Sequence, residues 1–180
     1  MKFKNLFLLL FLTIAAISCK DEAKKDENGL QNEVAVETSA NTFKVTLDLV
    51  AKSNDDFCLL YTQDGSLDFK DGIWKEVKGS INDQTIEFSL PENVFPTQLR
   101  MDFGKNQDEI LLKTVKFDYN GKTREIKGFE TGVFFRADAS KCSYDATMGI
   151  IKALVKDGKK EAISLYPNEA VMKAELPKLK

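Results

Sequence analysis

From residue 43 onward, apolar side chains alternate with polar ones, and this period of two constrains the fold more than any other feature. Phe43, Val45, Leu47 and Leu49 alternate with mostly polar neighbours, the pattern of a strand with one buried face. Further short strands are predicted over 57–62, 73–81, 84–90, 99–103, 115–119 and 123–127. About eight such strands, with no amphipathic helix between them, predict an all-β fold: an antiparallel β-sandwich of jelly-roll-like type.

Turn residues support this interpretation. Asn120-Gly121 is the strongest hairpin signal in the chain. Pro91 and Pro96 lack an N–H donor, so the segment between them lies outside a β-ladder. The last forty residues leave two alternatives open. Segments 149–155 and 161–166 suit a hairpin, yet their Ala, Lys, Leu and Glu content also suits helix, and 170–176 suits a short helix or an edge strand.

The N-terminus carries export signals. Lys2 and Lys4 precede an apolar run over 6–14 that is too short to span a bilayer, so residues 1–18 are predicted to be a signal peptide. The residues that follow this run, AISC at 16–19, resemble a bacterial lipobox. That resemblance implies cleavage before Cys19 and attachment of acyl chains to it, which hold a protein on a membrane. The alternative is an ordinary secretory signal that happens to end near a cysteine.

Residues 19–41 are mostly charged or amide-bearing, with no aromatic residue. Such a segment buries too little apolar area to offset its ordering entropy, so it is predicted to be a disordered tether before a single domain at 42–180. The tether begins Lys20-Asp21-Glu22 after Cys19, which resembles the surface-export signal of lipoproteins in certain Gram-negative phyla. This resemblance implies an outer-membrane lipoprotein on the cell surface, although many tethers are simply charged.

Charge and composition exclude several classes of function. The chain has 26 basic and 28 acidic residues, and removal of the leader takes away two of the basic ones. With no basic excess to neutralise phosphates, nucleic acid is excluded as a partner. The chain has no histidine, which removes Ser-His-Asp and Cys-His nucleophile systems and His-ligated zinc. A glycosidase would need two carboxylates, but no motif distinguishes any pair among 28 acidic residues. The protein is therefore predicted not to be an enzyme.

With Cys19 assigned to lipid, Cys58 and Cys142 remain. The exported compartment permits a disulfide between them. The alternative is two separate buried thiols, because free cysteine packs as a small hydrophobe. Pairing cannot be deduced from sequence, so both alternatives stay open.

An aromatic platform is the first candidate binding site. Trp74, with Phe69 and Tyr61, follows or flanks a Gly-containing loop, and loops at the end of a sandwich often carry binding groups. Alternation places Trp74 on the more polar face of its strand, opposite Ile73 and Val77. Such a ring could stack on a sugar. The alternative is that Trp74 belongs to the core.

The same loop offers a candidate metal site. Asp64, Asp68 and Asp71 lie within eight positions of one another, and carboxylates with loop carbonyls are the ligands that calcium takes. The spacing differs from the EF-hand pattern, so the alternative is a solvated acidic loop. Arg100 and Asp102 are two apart on a predicted strand and share its polar face; a structural ion pair is the preferred interpretation of these two.

Two segments carry a family resemblance. The string Asp55-Asp56-Phe57-x-Leu59-x-Tyr61-Thr62 and the later Leu90-Pro91-x4-Pro96-x2-Leu99-Arg100-x-Asp102-x-Gly104 resemble a β-sandwich module of exported bacterial proteins, also appended to some membrane glycosyltransferase-like proteins. The resemblance covers roughly 43–135 and brings no catalytic residues with it. It implies a jelly-roll-like sandwich, an architecture widely used to bind carbohydrate, and fold alone constrains function weakly.

Together these features predict a lipid-anchored, non-catalytic envelope protein that binds a glycan or another extracellular ligand, with no cofactor beyond candidate calcium. The alternative is a structural or assembly lipoprotein that contacts an envelope protein partner.

Overall fold

A computed structural model describes residues 41–180. They form two antiparallel sheets that pack their apolar faces together, which confirms the predicted antiparallel β-sandwich. The predicted signal peptide, the lipidation site Cys19 and nearly all of the predicted tether lie outside the described residues. Within 41–180, the helices are too short and too polar to cross a membrane.

The strands are numbered in chain order. They are β1 (Phe43–Ala51), β2 (Asp55–Thr62), β3 (Asp71–Val77), β4 (Gln84–Ser89), β5 (Gln98–Asp102), β6 (Glu109–Tyr119), β7 (Lys122–Lys127), β8 (Phe135–Ala137), β9 (Cys142–Asp145), β10 (Ile150–Ala153), β11 (Val155–Lys156), β12 (Lys159–Lys160) and β13 (Ser164–Pro167). The helices are α1 (Phe129–Phe134) and α2 (Glu169–Glu175), and a 3-10 turn spans Leu176–Leu179.

The first sheet has the order β4-β1-β6-β10-β9, and β7 pairs with the remaining length of β6. The second sheet has the order β3-β2-β5-β13-β8. Consecutive strands often lie in different sheets, so the chain crosses repeatedly between the two layers. Strands from distant parts of the sequence therefore become neighbours, and β13 lies between β5 and β8.

Strict alternation builds the core. In β1, every second residue from Phe43 to Ala51 is buried and the residues between them are partly exposed, as the sequence predicts. The inner face of β6 contributes Val115 and Phe117, and the inner face of β5 contributes Leu99 and Met101. Aromatic rings fill the space between the sheets: Phe57 meets Phe103 edge-to-face with ring centroids 5.1 Å apart.

The Asn120-Gly121 hairpin is confirmed. It joins β6 to β7, and both residues have positive φ, 53° at Asn120 and 80° at Gly121. Positive φ at both central residues is the type I′ geometry whose twist matches that of the flanking strands.

Two predictions of local structure differ from what is observed. The third strand ends at Val77 rather than residue 81, because the Gly79 N–H leaves the ladder and donates to Asn54 Oδ1 at 2.8 Å. Residues 129–134, for which the sequence predicts no element, form helix α1. The predicted hairpin near Lys156 forms only the small pair β11 and β12, while the flanking strands β10 and β13 enter different sheets. The terminal segment is helical.

Candidate functional site

The outer face of the second sheet carries the side chains that alternation points away from the core. Cross-strand register aligns them in two rows. One row contains Trp74, Cys58, Asp102 and Ser164. The neighbouring row contains Gly72, Leu60, Arg100, Tyr166 and Arg136. We call this surface the outer face.

Tyr166 is the centre of a cationic and aromatic cluster on the outer face. The guanidinium carbon of Arg100 lies 4.4 Å from the centroid of the Tyr166 ring, and that of Arg136 lies 5.5 Å from it. These are distances at which a guanidinium is attracted to the face of an aromatic ring. Phe69 completes the cluster, with its ring centroid 6.4 Å from that of Tyr166 at an interplanar angle of 71°.

Arg100 and Asp102 form a two-pronged ion pair on the outer face. Arg100 Nε donates to Asp102 Oδ1 and Nη2 donates to Oδ2, each at 2.8 Å. Both side chains are partly buried, and the two residues share the face that the sequence predicts. This planar arrangement holds Arg100 at a fixed angle over Tyr166, because the guanidinium fork fits a carboxylate in one orientation.

Trp74 lies at the opposite border of the outer face, on the edge strand β3. Its side chain is 68% exposed, and register places it level with Cys58 on β2. Three strand spacings, about 14 Å, separate β3 from the strand that carries Tyr166. The outer face therefore presents an accessible indole at one border and the Tyr166 cluster at the other, with polar and planar groups between them.

The loop 63–70 folds back across the outer face. It leaves β2 and is fastened where β2 ends and β5 begins: Thr62 Oγ1 donates to Ser66 O at 2.8 Å, and Gly65 N donates to Thr97 Oγ1 at 2.8 Å. Phe69 of this loop reaches Tyr166, two strands beyond β2. Phe69 and Trp74 thus both lie on the outer face, but Phe69 lies in the Tyr166 cluster and Trp74 at the opposite border, so the structure does not bring these two rings together.

Tyr61 does not belong to this platform. On β2 it alternates with Cys58 and Leu60 and points into the core, where it is buried. Burial, and then the neighbouring Asp71 carboxylate, raise the pKa of the Tyr61 hydroxyl. Tyr61 is one position from Leu60, which lies on the outer face, so Tyr61 lies on the opposite side of the sheet. The sequence groups it with Trp74 because both residues flank the same loop.

The predicted calcium site is not formed by the residues described. Asp64, Asp68 and Asp71 line a hollow of about 230 Å³ beside the loop, but within 41–180 no three acidic, Cys or His side chains converge as metal ligands. Asp64 Oδ1 accepts the Ser66 N–H at 3.0 Å, and this hydrogen bond lowers the pKa of Asp64. Asp68 pairs with Lys70 at 2.6 Å. Local partners thus occupy two of the carboxylates.

Of the two alternatives for Cys58 and Cys142, the structure has the separate buried thiols: both cysteines are free and buried. Cys58 lies on the outer face of the second sheet, whereas Cys142 lies on β9 of the first sheet and its Sγ donates to Ser164 O at 3.3 Å. Burial, and then the neighbouring Asp102 carboxylate, raise the pKa of the Cys58 thiol to about 11. Burial also raises the pKa of Cys142. Neither is a thiolate at neutral pH, so neither is suited to nucleophilic chemistry.

Sequence reasoning missed Tyr166 and Arg136. Their segments lie far apart in the chain and gave ambiguous secondary-structure signals, so nothing local predicted that they would become cross-strand partners. Alternation gave one usable signal. Leu165 and Pro167 are buried while Tyr166 between them is partly exposed, which assigns Tyr166 to an outer face once the strand is known.

The outer face of the first sheet offers a different kind of surface. A hollow of about 430 Å³ there is lined only by polar side chains and glycine: Thr42, Lys44, Thr46, Glu87, Lys116, Asp118, Asn120 and Gly121. Lys44 and Glu87 approach each other to 3.4 Å. Because no apolar or aromatic residue lines this hollow, it lacks the hydrophobic side chains that are typical of ligand sites. The outer face of the second sheet is the better candidate.

Comparisons of the chain with protein-family models, with curated proteins and with solved structures found no match. The resemblance to exported sandwich modules therefore depends on the residues quoted for it and on the β-sandwich fold.

Proposed function

We propose that this protein is a lipid-anchored, non-catalytic module of the cell envelope that binds glycan on the outer face of its second sheet. The observation that carries this proposal is the position of Trp74. A large aromatic side chain that is 68% exposed on a sheet face is unusual for a residue type that is mostly buried. Within 41–180, Trp74 is neither in the hydrophobic core nor among the residues packed against it.

The chemistry of the outer face suits a sugar chain. A pyranose ring presents an apolar C–H face, which an exposed indole can cover. Its rim carries hydroxyls, which need hydrogen-bond donors and acceptors. The Arg100–Asp102 pair and Tyr166 place such groups along the same face as Trp74. The pair is held rigidly by its two hydrogen bonds, so little side-chain entropy is lost on binding.

Lipid at Cys19 would tether this module to the outer membrane, on the cell surface. The lipobox-like AISC, the charged stretch 19–41 and Lys20-Asp21-Glu22 support this part of the proposal. Labelling with a radioactive fatty acid tests it: the wild-type chain should become labelled, and Cys19→Ser should abolish the label. Digestion of intact cells by added protease tests surface display, since a protein facing the periplasm would be protected.

The absence of catalysis is also part of the proposal. The chain has no histidine, and the raised thiol pKa values of Cys58 and Cys142 keep both cysteines protonated at neutral pH. Any turnover on a bound glycan that disappears with one Asp or Glu substitution would contradict it and would favour a carboxylate hydrolase.

A binding screen on a glycan array tests the central claim. The probe is the chain without its leader and with Cys19→Ser, with and without calcium. Trp74→Ala should weaken a specific hit at least about fivefold, because burial and stacking of an aromatic ring contribute on the order of 1–3 kcal/mol. Ile81→Ala is the matched control, since Ile81 is 81% exposed but lies outside the strands of the sheet. Equal weakening by both substitutions, or none by Trp74→Ala, would contradict the proposal.

A second candidate function is contact with an envelope protein partner. Phe129 and Val133 on α1 and Met148 before β10 are exposed large apolar side chains. The segments that carry them meet, since Gly132 of α1 packs against Ala146. An apolar surface of this kind suits a protein interface. Crosslinking in cells distinguishes the two candidates: a specific partner lost on Phe129→Asp would favour assembly, and adducts with the protein itself alone would count against it.

A further inference from the structure

We propose that the Tyr166 end of the outer face selects acidic glycans, with Arg136 as the residue that takes the carboxylate or sulfate group of the sugar. This inference rests on the proposed glycan-binding function and names the class of glycan. Trp74, about three strand spacings away, would cover a sugar ring at the other border.

The first observation is the position of Arg136. It lies on the edge strand β8, is exposed, and is the cross-strand partner of Tyr166. Its guanidinium carbon lies 5.5 Å from the centroid of the Tyr166 ring. An aromatic face beneath a guanidinium orients it while leaving its N–H donors free at the rim. Arg136 is therefore held in place and still able to bind.

The second observation is a contrast among the three arginines of the chain. Arg100 binds Asp102 with two hydrogen bonds, and Arg124 pairs with Glu130. Within 41–180, Arg136 makes no ion pair and donates no hydrogen bond. One arginine of the Tyr166 cluster thus has its charge compensated, and the other keeps an uncompensated positive charge at the surface.

Charge and geometry together specify the ligand group. Asp102 neutralises Arg100, so the net charge of the Arg100, Asp102 and Arg136 set is that of one guanidinium. The guanidinium fork matches the oxygens of a carboxylate or sulfate with two parallel hydrogen bonds. A neutral sugar hydroxyl would use only one donor and would leave the charge uncompensated, so acidic sugars gain most at this position.

The acidic residues of the neighbouring loop favour one orientation of the glycan along the outer face. Loop 63–70 and the start of β3 carry Asp64, Asp68 and Asp71 with only Lys70 as a counter-charge. An anionic group near these carboxylates would be repelled. Phe69 of this loop reaches Tyr166, but its neighbours Asp68 and Lys70 pair with each other. The carboxylates of the loop without an ion pair within 41–180 are Asp64, just beyond β2, and Asp71, at the start of β3. The acidic sugar should therefore lie at the β13–β8 border beside Arg136, and a ring without charge should lie nearer Trp74.

Pairs of polysaccharides that share a backbone test this inference. We would measure affinities of the leaderless Cys19→Ser chain for polygalacturonate and its full methyl ester, and for dextran sulfate and dextran. In at least one pair, the acidic member should bind at least about tenfold more tightly than its neutral partner, and Arg136→Gln should remove about ten- to one-hundredfold of that affinity. The first pair detects recognition of a carboxylate, and the second detects recognition of a sulfate.

Control variants separate a local effect from a general one. Lys156→Gln removes one positive charge from the small β11–β12 hairpin, outside both sheets, and should leave the affinities unchanged. Arg136→Lys keeps the charge but loses the fork, so it should fall between wild type and Arg136→Gln. Melting temperatures of all variants establish that each is folded.

The outcomes are distinct. Preference for the acidic member of either pair, lost in Arg136→Gln and kept in Lys156→Gln, supports the inference. Equal affinity for acid and neutral partners, retained acid affinity in a folded Arg136→Gln, or specific binding to neutral glycans alone on the array overturns it and leaves the glycan-binding proposal standing. Failure to bind any glycan, acidic or neutral, overturns both.

Discussion

Cys58 and Trp74 are directly opposite each other in the ladder between β2 and β3, yet their exposures differ widely. Cys58 is 1% exposed and Trp74 is 68% exposed. Cys58 has a paired strand on each side, whereas Trp74 lies on β3, which among residues 41–180 has a neighbouring strand on one side only. The small thiol is covered by its surroundings while the large ring is not. Changes at the buried Cys58 should therefore affect the stability of the fold, and changes at the exposed Trp74 should affect binding.

The buried thiol predicts a pH dependence of stability. The pKa of Cys58 rises from its ordinary 9.0 to about 11 on folding. Below pH 9 both states hold the proton, and the stabilising contribution is complete. As pH rises from 9 to 11 the unfolded state loses the proton first, so the free energy of unfolding falls, by about 2–3 kcal/mol in all for this group. Urea unfolding across this range measures the fall.

Cys58→Ala is the control for that experiment, since other groups also titrate in this range. The variant should lose less stability than wild type between pH 9 and 11. Parallel curves for the two chains would contradict the prediction. Asp102→Asn gives a second check: because the Asp102 carboxylate contributes to the raised pKa of Cys58, its neutralisation should lower the pH at which Cys58 reacts with a thiol reagent.

Gly104 and Asp55 predict a steric cost at a turn. Gly104 has φ +74°, and a Cβ there would collide with the Asp55 carboxylate. That carboxylate accepts the Asn106 N–H at 2.7 Å and the Asp56 N–H at 3.0 Å. Gly104→Ala should therefore displace Asp55 and destabilise the fold by about 3 kcal/mol, the sum of backbone strain and weakened hydrogen bonds.

Gly121→Ala separates these two contributions. Gly121 has φ +80°, but a Cβ there meets nothing within 4 Å. Its substitution should cost only about 1–2 kcal/mol, the cost of the left-handed backbone alone. If thermal or urea unfolding gives equal losses for the two variants, the collision with Asp55 has no energetic consequence and the prediction is wrong.

Substitution by alanine should reduce stability strongly at Phe117 and hardly at all at Phe129. Phe117 is fully buried and packs against Phe43, Phe134 and Phe135, with ring centroids 6.1–6.5 Å away. Phe117→Ala should cost about 3–5 kcal/mol because it leaves a cavity between the sheets. Phe129 is 74% exposed, so Phe129→Ala should change the free energy of unfolding by less than about 0.5 kcal/mol. A large loss of stability in Phe129→Ala would mean that the Phe129 ring is packed in the fold, and the prediction would be wrong.

Much of the fold could be predicted from the sequence because its signals are local. Alternation in β1 depends only on the two-residue period of a strand, and the Asn120-Gly121 turn depends on two residues that tolerate positive φ. The shared face of Arg100 and Asp102 follows from their spacing alone. Alternation along the strand likewise places Trp74 on its polar side, and the observed register agrees.

The rest required the tertiary structure. Tyr166 and Arg136 meet only because β8 and β13 pair across a long stretch of sequence, and pairing between distant strands is chosen by the packing of both sheets rather than by either segment. Likewise, local alternation puts Tyr61 on one side of β2, but only the packed core shows which side is buried. A strand's sequence determines which residues share a face; the arrangement of the sheets determines which strands become neighbours and which face meets water.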